Sequence, residues 1–308
     1  MEKMNRFSLR SLRVLVTVAE AGSIAAAAST LARSQGAIST TIGELEEIIG
    51  VQLFVRKPTK GLSLTAVGKM VVLEARGLLA HADEFEAITG ALGNALVGDL
   101  LVGCFTNLAP VVFGSLVARF TEMFPGIRIH LELGDQEEIL TALGNGRIET
   151  ALMFDLGLSE QYQAVRVAQL PAYAVLPISH ELADRSHVSL RDLVGEPMIL
   201  MDLPHTREYF LSLYHSMGIE PLIKYRSTSF EAVRNMVGNR LGYSVLNLKP
   251  VVSITYDGTE IVNIPIKDKI RPLNVVLVTL KSIARRRLVH TFNDFARGYI
   301  KEWSAKQS

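Results

Sequence analysis

The chain has 308 residues, 48% hydrophobic and 20% charged, which is too long for one ordinary domain and enough for two or three folded units. No apolar run approaches the roughly 20 residues that a membrane-spanning helix needs. Residues 1–13 carry Lys3, Arg6, Arg10 and Arg13 without the apolar segment and cleavage site of a secretory signal, so a soluble, cytoplasmic protein is expected. Cys104 is the only cysteine, which excludes an intramolecular disulfide and a cysteine-based zinc site. It reads as a structural or ligand-lining thiol, with a redox switch as the alternative. The seven histidines are scattered without metal-ligand spacing, so neither a metal nor a cofactor is implied. Net charge is +1 overall, but residues 1–64 hold eight Lys/Arg against five acids, a net +3, and the remaining 24 basic and 26 acidic residues leave −2. The asymmetry has the sign of a nucleic-acid-binding N-terminus and is too small to establish one.

In chain order, Leu12, Leu15, Val16 and Ala19 recur at helical spacing and predict a helix over residues 9–21, ended at Ala21-Gly22. Ser23 can cap a second helix over 24–31, whose alanines at 25–28 let another helix pack close. After a turn at 32–34, a third helix is predicted over 35–49, with Ile38, Ile42, Leu45, Ile48 and Ile49 facing inward and Ser34, Gln35, Ser39, Thr40 and Thr41 on the other face. Two helices joined by a short turn, the second opening with small hydrogen-bonding side chains, place a recognition helix in the major groove. Gln can read adenine edges, and Ser or Thr can bind phosphate or base. Residues 51–65 read as two short strands around a basic turn, a wing in which Arg56, Lys57 and Lys60 could lie along a phosphate backbone. The plainer alternative is a solvated charged hairpin.

These residues resemble the DNA-binding domain of LysR-type transcription regulators. The resemblance is carried by residues 12–21 with Gly22-Ser23-Ile24, Ala27-Ala28, Leu31, Ser34-Gln35-Gly36-Ala37-Ile38-Ser39, Leu45-Glu46, Gly50-Val51-Gln52-Leu53-Phe54-Val55-Arg56 and Leu64-Thr65-Ala66-Val67-Gly68. It implies a winged helix-turn-helix touching DNA through Ser23, Ser34, Gln35, Gly36, Ser39, Thr40, Thr41, Arg56, Lys57 and Lys60. Two positions depart from the family's habit. Gly36 stands where proline is usual and loosens the first turn of the recognition helix. Thr40 stands where a basic residue is frequent and removes a phosphate contact. Weaker non-specific DNA affinity, or more reliance on the wing, is expected.

A long helix follows from Thr65 to about residue 92. Val71, Ala75, Leu78, Ala82, Phe85, Thr89 and Leu92 alternate four and three apart, a heptad seam that wants a partner helix. The alternative is packing on the helix's own chain. A homodimer through this linker is expected, and the family resemblance adds a homotetramer.

Beyond Gly93-Asn94, a strand at 100–104, a helix at 110–124 with Phe113, Leu116, Val117 and Phe120 inward, a strand at 127–133, a helix at 136–143 capped by Asp135 with Glu138, and a strand at 150–154 make a βαβαβ order. That order predicts a mainly parallel sheet. A second such unit is expected from about 165 to 265, with strands at 173–177, 198–201, 222–227 and 243–246 and helices near 207–217 and 230–239. A last strand at 274–280 and helix at 284–303 return to the first unit. The fold class is therefore α+β multidomain. It comprises a winged helix-turn-helix (1–64), a dimerising linker helix (65–93) and a two-lobed α/β domain (94–308), with lobe I at 94–164 and 268–308 and lobe II at 165–267. The last resembles the periplasmic-binding-protein-like effector domain of LysR-type regulators.

Ligands in such sheets bind beyond the strand C-termini, where helix N-termini present free N–H groups. Those positions are Cys104, Phe105, Thr106, Asn107, Phe154 and Asp155 on one lobe, and Asp202, His205, Thr206, Ser227, Ser229, Phe230, Leu246 and Asn247 on the other. Each has a plain reading beside it: Asp202 and Ser229 as helix caps, Phe154 and Phe230 as core, His205 as a surface side chain. Asp155 and Asp202 at facing lips, with no Lys or Arg among these positions, favour a small-molecule effector bearing an amine. An enzyme or a solute-binding protein on the same clamshell is the rival, but no phosphate loop, His-Glu-x-x-His or Gly-x-Ser-x-Gly occurs, and neither rival needs residues 34–39 or the heptads. By resemblance, a dimer of dimers bends DNA near a promoter and effector closure of the clamshell changes the bend.

Overall fold

The computed structural model describes residues 7–57, 61–90, 96–281, 284 and 286–305. The chain divides into two compact units. One comprises Met1–Asp99 with the short pieces Phe124–Arg128 and Gly144–Arg147, and the other holds the rest.

The first unit opens with α1 (Leu9–Ala21), α2 (Ile24–Thr30) and α3 (Gln35–Ile49), followed by β1 (Phe54–Lys57), β2 (Gly61–Leu64) and α4 (Ala66–Gly90). Serine sets each of the first three starts: the hydroxyls of Ser8, Ser23 and Ser34 accept from the N–H groups of Ser11, Ala26 and Ala37, satisfying donors that a helix start leaves unpaired. Leu12, Val14, Leu15, Val18, Ala27, Ala28, Ile38, Ile42, Leu45, Leu53 and Phe54 form one core with Val72, Ala75 and Leu79 of α4. Ile48 is half-buried and Ile49 is exposed, because α3 ends at Gly50 with φ +81 and its last turn runs past the core. The wing is an antiparallel hairpin with Phe54 opposite Leu64 and Lys57 opposite Gly61.

The expected heptad seam divides. Val72, Ala75 and Leu79 face the head, while Leu78 (44% exposed) and Phe85 (67% exposed), seven residues apart, stay at the surface. Residues 91–95 and the side chain of Thr89 lie outside the described set, so the end of the seam, including Leu92, is not described.

The second unit contains two lobes. In lobe I, β3 (Gly98–Phe105), β4 (Ile127–Gly134), β5 (Thr150–Phe154), β6 (Tyr162–Leu170) and β12 (Leu273–Leu280) form a sheet in the order β4-β3-β5-β12-β6. Helices α5 (Gly114–Met123), α6 (Gln136–Gly144) and α9 (Arg287–Ala305) belong with it. The predicted helix from 110 starts as a π-helical turn, Ala109–Phe113, and becomes α-helical only at Gly114. The sheet is mixed rather than mainly parallel: β3 and β5 are parallel, whereas β12 runs antiparallel to both β5 and β6. Strand β6 lies on this sheet, so the boundary at residues 164/165 falls inside one of its strands. Asp135 caps α6 as expected, its Oδ1 accepting from Glu137 and Glu138 N–H while Glu138 accepts from Asp135 N–H.

Lobe II carries β7 (Tyr173–Pro177), β8 (Pro197–Met201), β9 (Leu222–Ser227), β10 (Ser244–Leu246) and β11 (Ile261–Pro265), with α7 (Thr206–His215) and α8 (Phe230–Gly238). Its strands make an antiparallel β10-β7-β11 sheet and a parallel β8-β9 pair, not a second βαβαβ sheet. The chain crosses between lobes after Leu170 and before Leu273.

At the junction of wing and linker helix, Thr65 N–H donates to the Leu53 carbonyl at 2.9 Å, Thr65 Oγ1 donates to Gln52 O at 2.9 Å and accepts from Gly68 N–H at 2.8 Å. A Cβ at Gly68 would sit on the Leu53 carbonyl oxygen, so only glycine lets the first turn of α4 come this close. Gly68→Ala is expected to destabilise the head by about 1–3 kcal/mol. Hydrogen exchange of the α1 and α3 amides in the full chain should then speed up at least about fivefold; unchanged exchange would show that the contact relaxes without cost.

Candidate nucleic-acid face and ligand cleft

The turn between α2 and α3 is tight. Leu31 N–H reaches Ala27 O, Arg33 N–H reaches Ala28 O, and Ala32 takes φ +50, the left-handed value a compact turn demands. It sets the start of α3 on the surface: Ser34, Gln35, Gly36, Ser39 and Thr40 are all exposed, beside the buried Ile38 and Ile42. Thr41 is half-buried and its hydroxyl donates to Ala37 O at 2.9 Å, so it is tied to its own helix. Ser23 is half-buried and serves as the α2 cap. Arg56 and Lys57 lie on β1 with side chains outside the described set, and Lys60 lies outside it altogether.

Sequence reasoning gave Glu46 no role. Its Oε1 accepts from the N–H groups of Leu53 at 2.7 Å and Phe54 at 3.2 Å, fixing the wing to α3 through charge-assisted hydrogen bonds. The Leu45-Glu46 pair in the motif was the available signal.

In the second unit a cavity is lined by Phe105, Asn107, Phe154, Met201, Thr206, Phe210, Phe230, Leu246, Asn247, Leu248 and Leu273. Of the strand-end positions, the fold therefore brings together Phe105, Asn107, Phe154, Thr206, Phe230, Leu246 and Asn247. Phe105 and Phe154 stack at a tilt, centroids 4.9 Å apart. Sequence reasoning missed Met201, Phe210, Leu248 and Leu273, apolar residues on or beside elements it had placed.

The other candidates do not line it. Cys104 is fully buried, its thiol donates to Phe105 O at 3.5 Å, and burial raises its pKa, so the thiolate is disfavoured. Thr106 N–H is spent on Gly134 O. Asp155 accepts from Arg271 at 3.0 Å and from the Asn274 amide at 2.6 Å. Asp202 accepts from Arg207 at 2.9 Å and Arg226 at 3.4 Å. Both acids thus already have guanidinium partners, and an amine-bearing effector loses the two carboxylates that favoured it. Ser227 and Ser229 hold the start of α8, Ser229 as its cap. His205 precedes α7 with φ +61, and its ring lies against Gly157: a Cβ there would be 2.8 Å from His205 Cε1.

The expected free N–H groups at the start of α7 are occupied. Thr206 N–H donates to Pro204 O, Arg207 N–H to Leu203 O and Tyr209 N–H to His205 O. The Glu208 carboxylate is held below its usual pKa first by a backbone hydrogen bond within its own residue and then by Arg207. Asn247, 6% exposed, donates through Nδ2 to Leu170 O at 2.9 Å and to Tyr209 Oη at 3.1 Å, and Tyr209 donates onward to Arg271 O at 2.8 Å. Burial pushes the Tyr209 pKa up to about 12, so the phenol keeps its proton and the relay its direction.

Comparison with known proteins agrees with both halves. The bacterial regulatory helix-turn-helix family of lysR type matches residues 9–69, and the LysR substrate binding domain matches residues 93–301. Among curated proteins, a hydrogen peroxide-inducible genes activator of Dickeya chrysanthemi is 27% identical over 240 residues, 78% of each chain. Among solved structures, HinK, a LysR family transcriptional regulator from Pseudomonas aeruginosa, is 34% identical with TM-score 0.66, covering 96% of this chain and 99% of that one. A full-length OxyR variant from Pseudomonas aeruginosa superposes with TM-score 0.77 at 23% identity, over 96% of each chain.

A Cβ at Gly36 meets nothing within 4 Å. Gly36→Ala is therefore expected to stabilise the head by about 0.4–1 kcal/mol through the unfolded state, read as slower amide exchange in α3. Thr40→Arg should steepen the salt dependence of DNA binding by about one unit of log K per log salt, and an unchanged slope would remove position 40 from the phosphate contacts.

Proposed function

Since the chain belongs to the LysR family of bacterial regulatory helix-turn-helix proteins and is a DNA-binding transcriptional regulator with an effector-binding domain, we propose that its exposed α3 face reads the operator and that the cavity between lobes I and II holds the effector. The observation that carries the reading is the division of α3. Ile38, Ile42 and Leu45 are locked in the core, while Ser34, Gln35, Gly36, Ser39 and Thr40 stand out from it, as a helix entering a major groove requires. Arg56, Lys57 and Lys60 of the wing add phosphate contacts, with Ser23 at the α2 start.

The linker stripe of Leu78 and Phe85 supports a homodimer through α4, and two such dimers form the tetramer that bends promoter DNA. A cytoplasmic location accords with this work on DNA. No helix of the described residues is long and apolar enough to cross a membrane. Regulators of this family are generally not enzymes, and we assign no catalysis to the chain. A thiol-based response to oxidants has little support, because the lone Cys104 is buried and has no second cysteine with which to pair.

Effector binding would act through the lobes: whichever arrangement the effector binds more tightly gains population, and the linker passes the change to the operator. The test is binding to DNA upstream of the neighbouring gene. Gln35→Ala should weaken binding to the protected site by about 1–3 kcal/mol while leaving non-specific binding nearly unchanged; equal losses on both would remove base reading by Gln35. Leu78→Asp should at least halve the sedimenting mass at micromolar concentration, and an unchanged mass would place the interface elsewhere.

A further inference from the structure

The cavity's chemistry narrows what can fill it. Among the described residues, no Lys, Arg, Asp or Glu lines it; eight of its side chains are Phe, Met or Leu, and the polar ones are Asn107, Thr206 and Asn247. Two of these carry buried oxygens with no hydrogen-bond partner, Thr206 Oγ1 and Asn247 Oδ1, on residues only 3% and 6% exposed. A buried polar atom left unpaired is costly: the Asn247 carbonyl oxygen can only accept, while the Thr206 hydroxyl can donate or accept.

The orientation of Asn247 follows from its neighbours. Leu170 O can only accept, and the Tyr209 hydroxyl is already donating to Arg271 O, so the amide NH2 must face them and the carbonyl oxygen must be the free end. An acceptor needs a donor from the ligand. A carboxylate would find no cation in the lining and would face the Asn247 carbonyl oxygen, and an ammonium would find no carboxylate, because Asp155 and Asp202 are bound to arginines outside the cavity.

We propose that the effector is an uncharged molecule with an apolar aromatic body and an O–H or N–H donor. Its ring lies among Phe105, Phe154, Phe210 and Phe230, and its donor bonds Asn247 Oδ1 with Thr206 Oγ1 alongside. This inference rests on the cavity being the effector site, and the experiment separates the two.

The full chain is titrated calorimetrically with phenol and indole, with toluene as the ring lacking a donor, and with benzoate, succinate and putrescine as charged compounds. Phenol and indole are expected to bind, phenol at least about fivefold more tightly than toluene. Thr206→Val should weaken phenol roughly five- to tenfold and leave toluene unchanged, and Phe230→Trp, which fills the cavity, should weaken all three. The comparison of phenol with toluene needs no variant, so it decides the matter even if Thr206→Val fails to fold. Equal affinity for phenol and toluene, or no binding of phenol and indole, overturns the proposed class. Binding of benzoate, succinate or putrescine that Phe230→Trp weakens, with phenol silent, overturns the class and leaves the cavity as the effector site. Phenol binding that neither variant changes places the molecule elsewhere and overturns both.

Discussion

The first unit depends on α4 having two apolar faces. With 3.6 residues per turn, Val72, Ala75 and Leu79 come round to the same side and close the core begun by α1, α2 and α3. Leu78 cannot share that side, because it is one residue from Leu79. The helix therefore finishes one hydrophobic core and offers material for another. The head is not a complete domain without it, since the Val72 row closes the same core as Leu15, Val18 and Ile38. The junction at Thr65 and Gly68 sets the helix's entry, so that this row falls on the core and the Leu78 stripe does not.

What could be read from the sequence followed from local chemistry. Helices α1 and α3 were legible from the helical spacing of their apolar residues, α1 ending at Ala21-Gly22, and the start of α2 was legible because Ser23 caps it. The α6 cap was legible for the same reason, Asp135 and Glu138 being three residues apart. What depended on distant pairing was not legible. Strand β6 reads Tyr-Gln-Ala-Val-Arg-Val-Ala-Gln-Leu, a mixed run whose place on the first sheet is decided by β12, more than a hundred residues away. The reversal of sheet direction has the same origin, since nothing local to Leu273–Leu280 says which neighbour it will join.

The cavity shows the same division. Strand ends pointed to Phe105, Phe154 and Asn247 because sheet geometry brings strand ends together whatever the side chains. Its polarity was misread because Asp155 and Asp202 carry charge in the sequence and lose its availability in the fold. Asp155 is held by Arg271 from a remote segment, and Asp202 by Arg207 five residues on together with Arg226. An acid counted in isolation overstates the affinity of a site for cations, and an asparagine counted in isolation understates how directional it is. Asn247 is held by both lobes, through Leu170 on one and Tyr209 on the other, so the atom offered to the effector belongs to the hinge itself.

The meeting of His205 with Gly157 has a genetic consequence. Both backbones stand at positive φ, +61 and +68, and the imidazole lies where a side chain at 157 would begin. A missense allele at codon 157 would wedge the ring away from lobe I without touching a residue that contacts the effector. Such alleles would surface in a screen as inducer-blind or inducer-independent regulators whose operator binding is intact, and revertants would gather at codon 205, where a smaller side chain makes room.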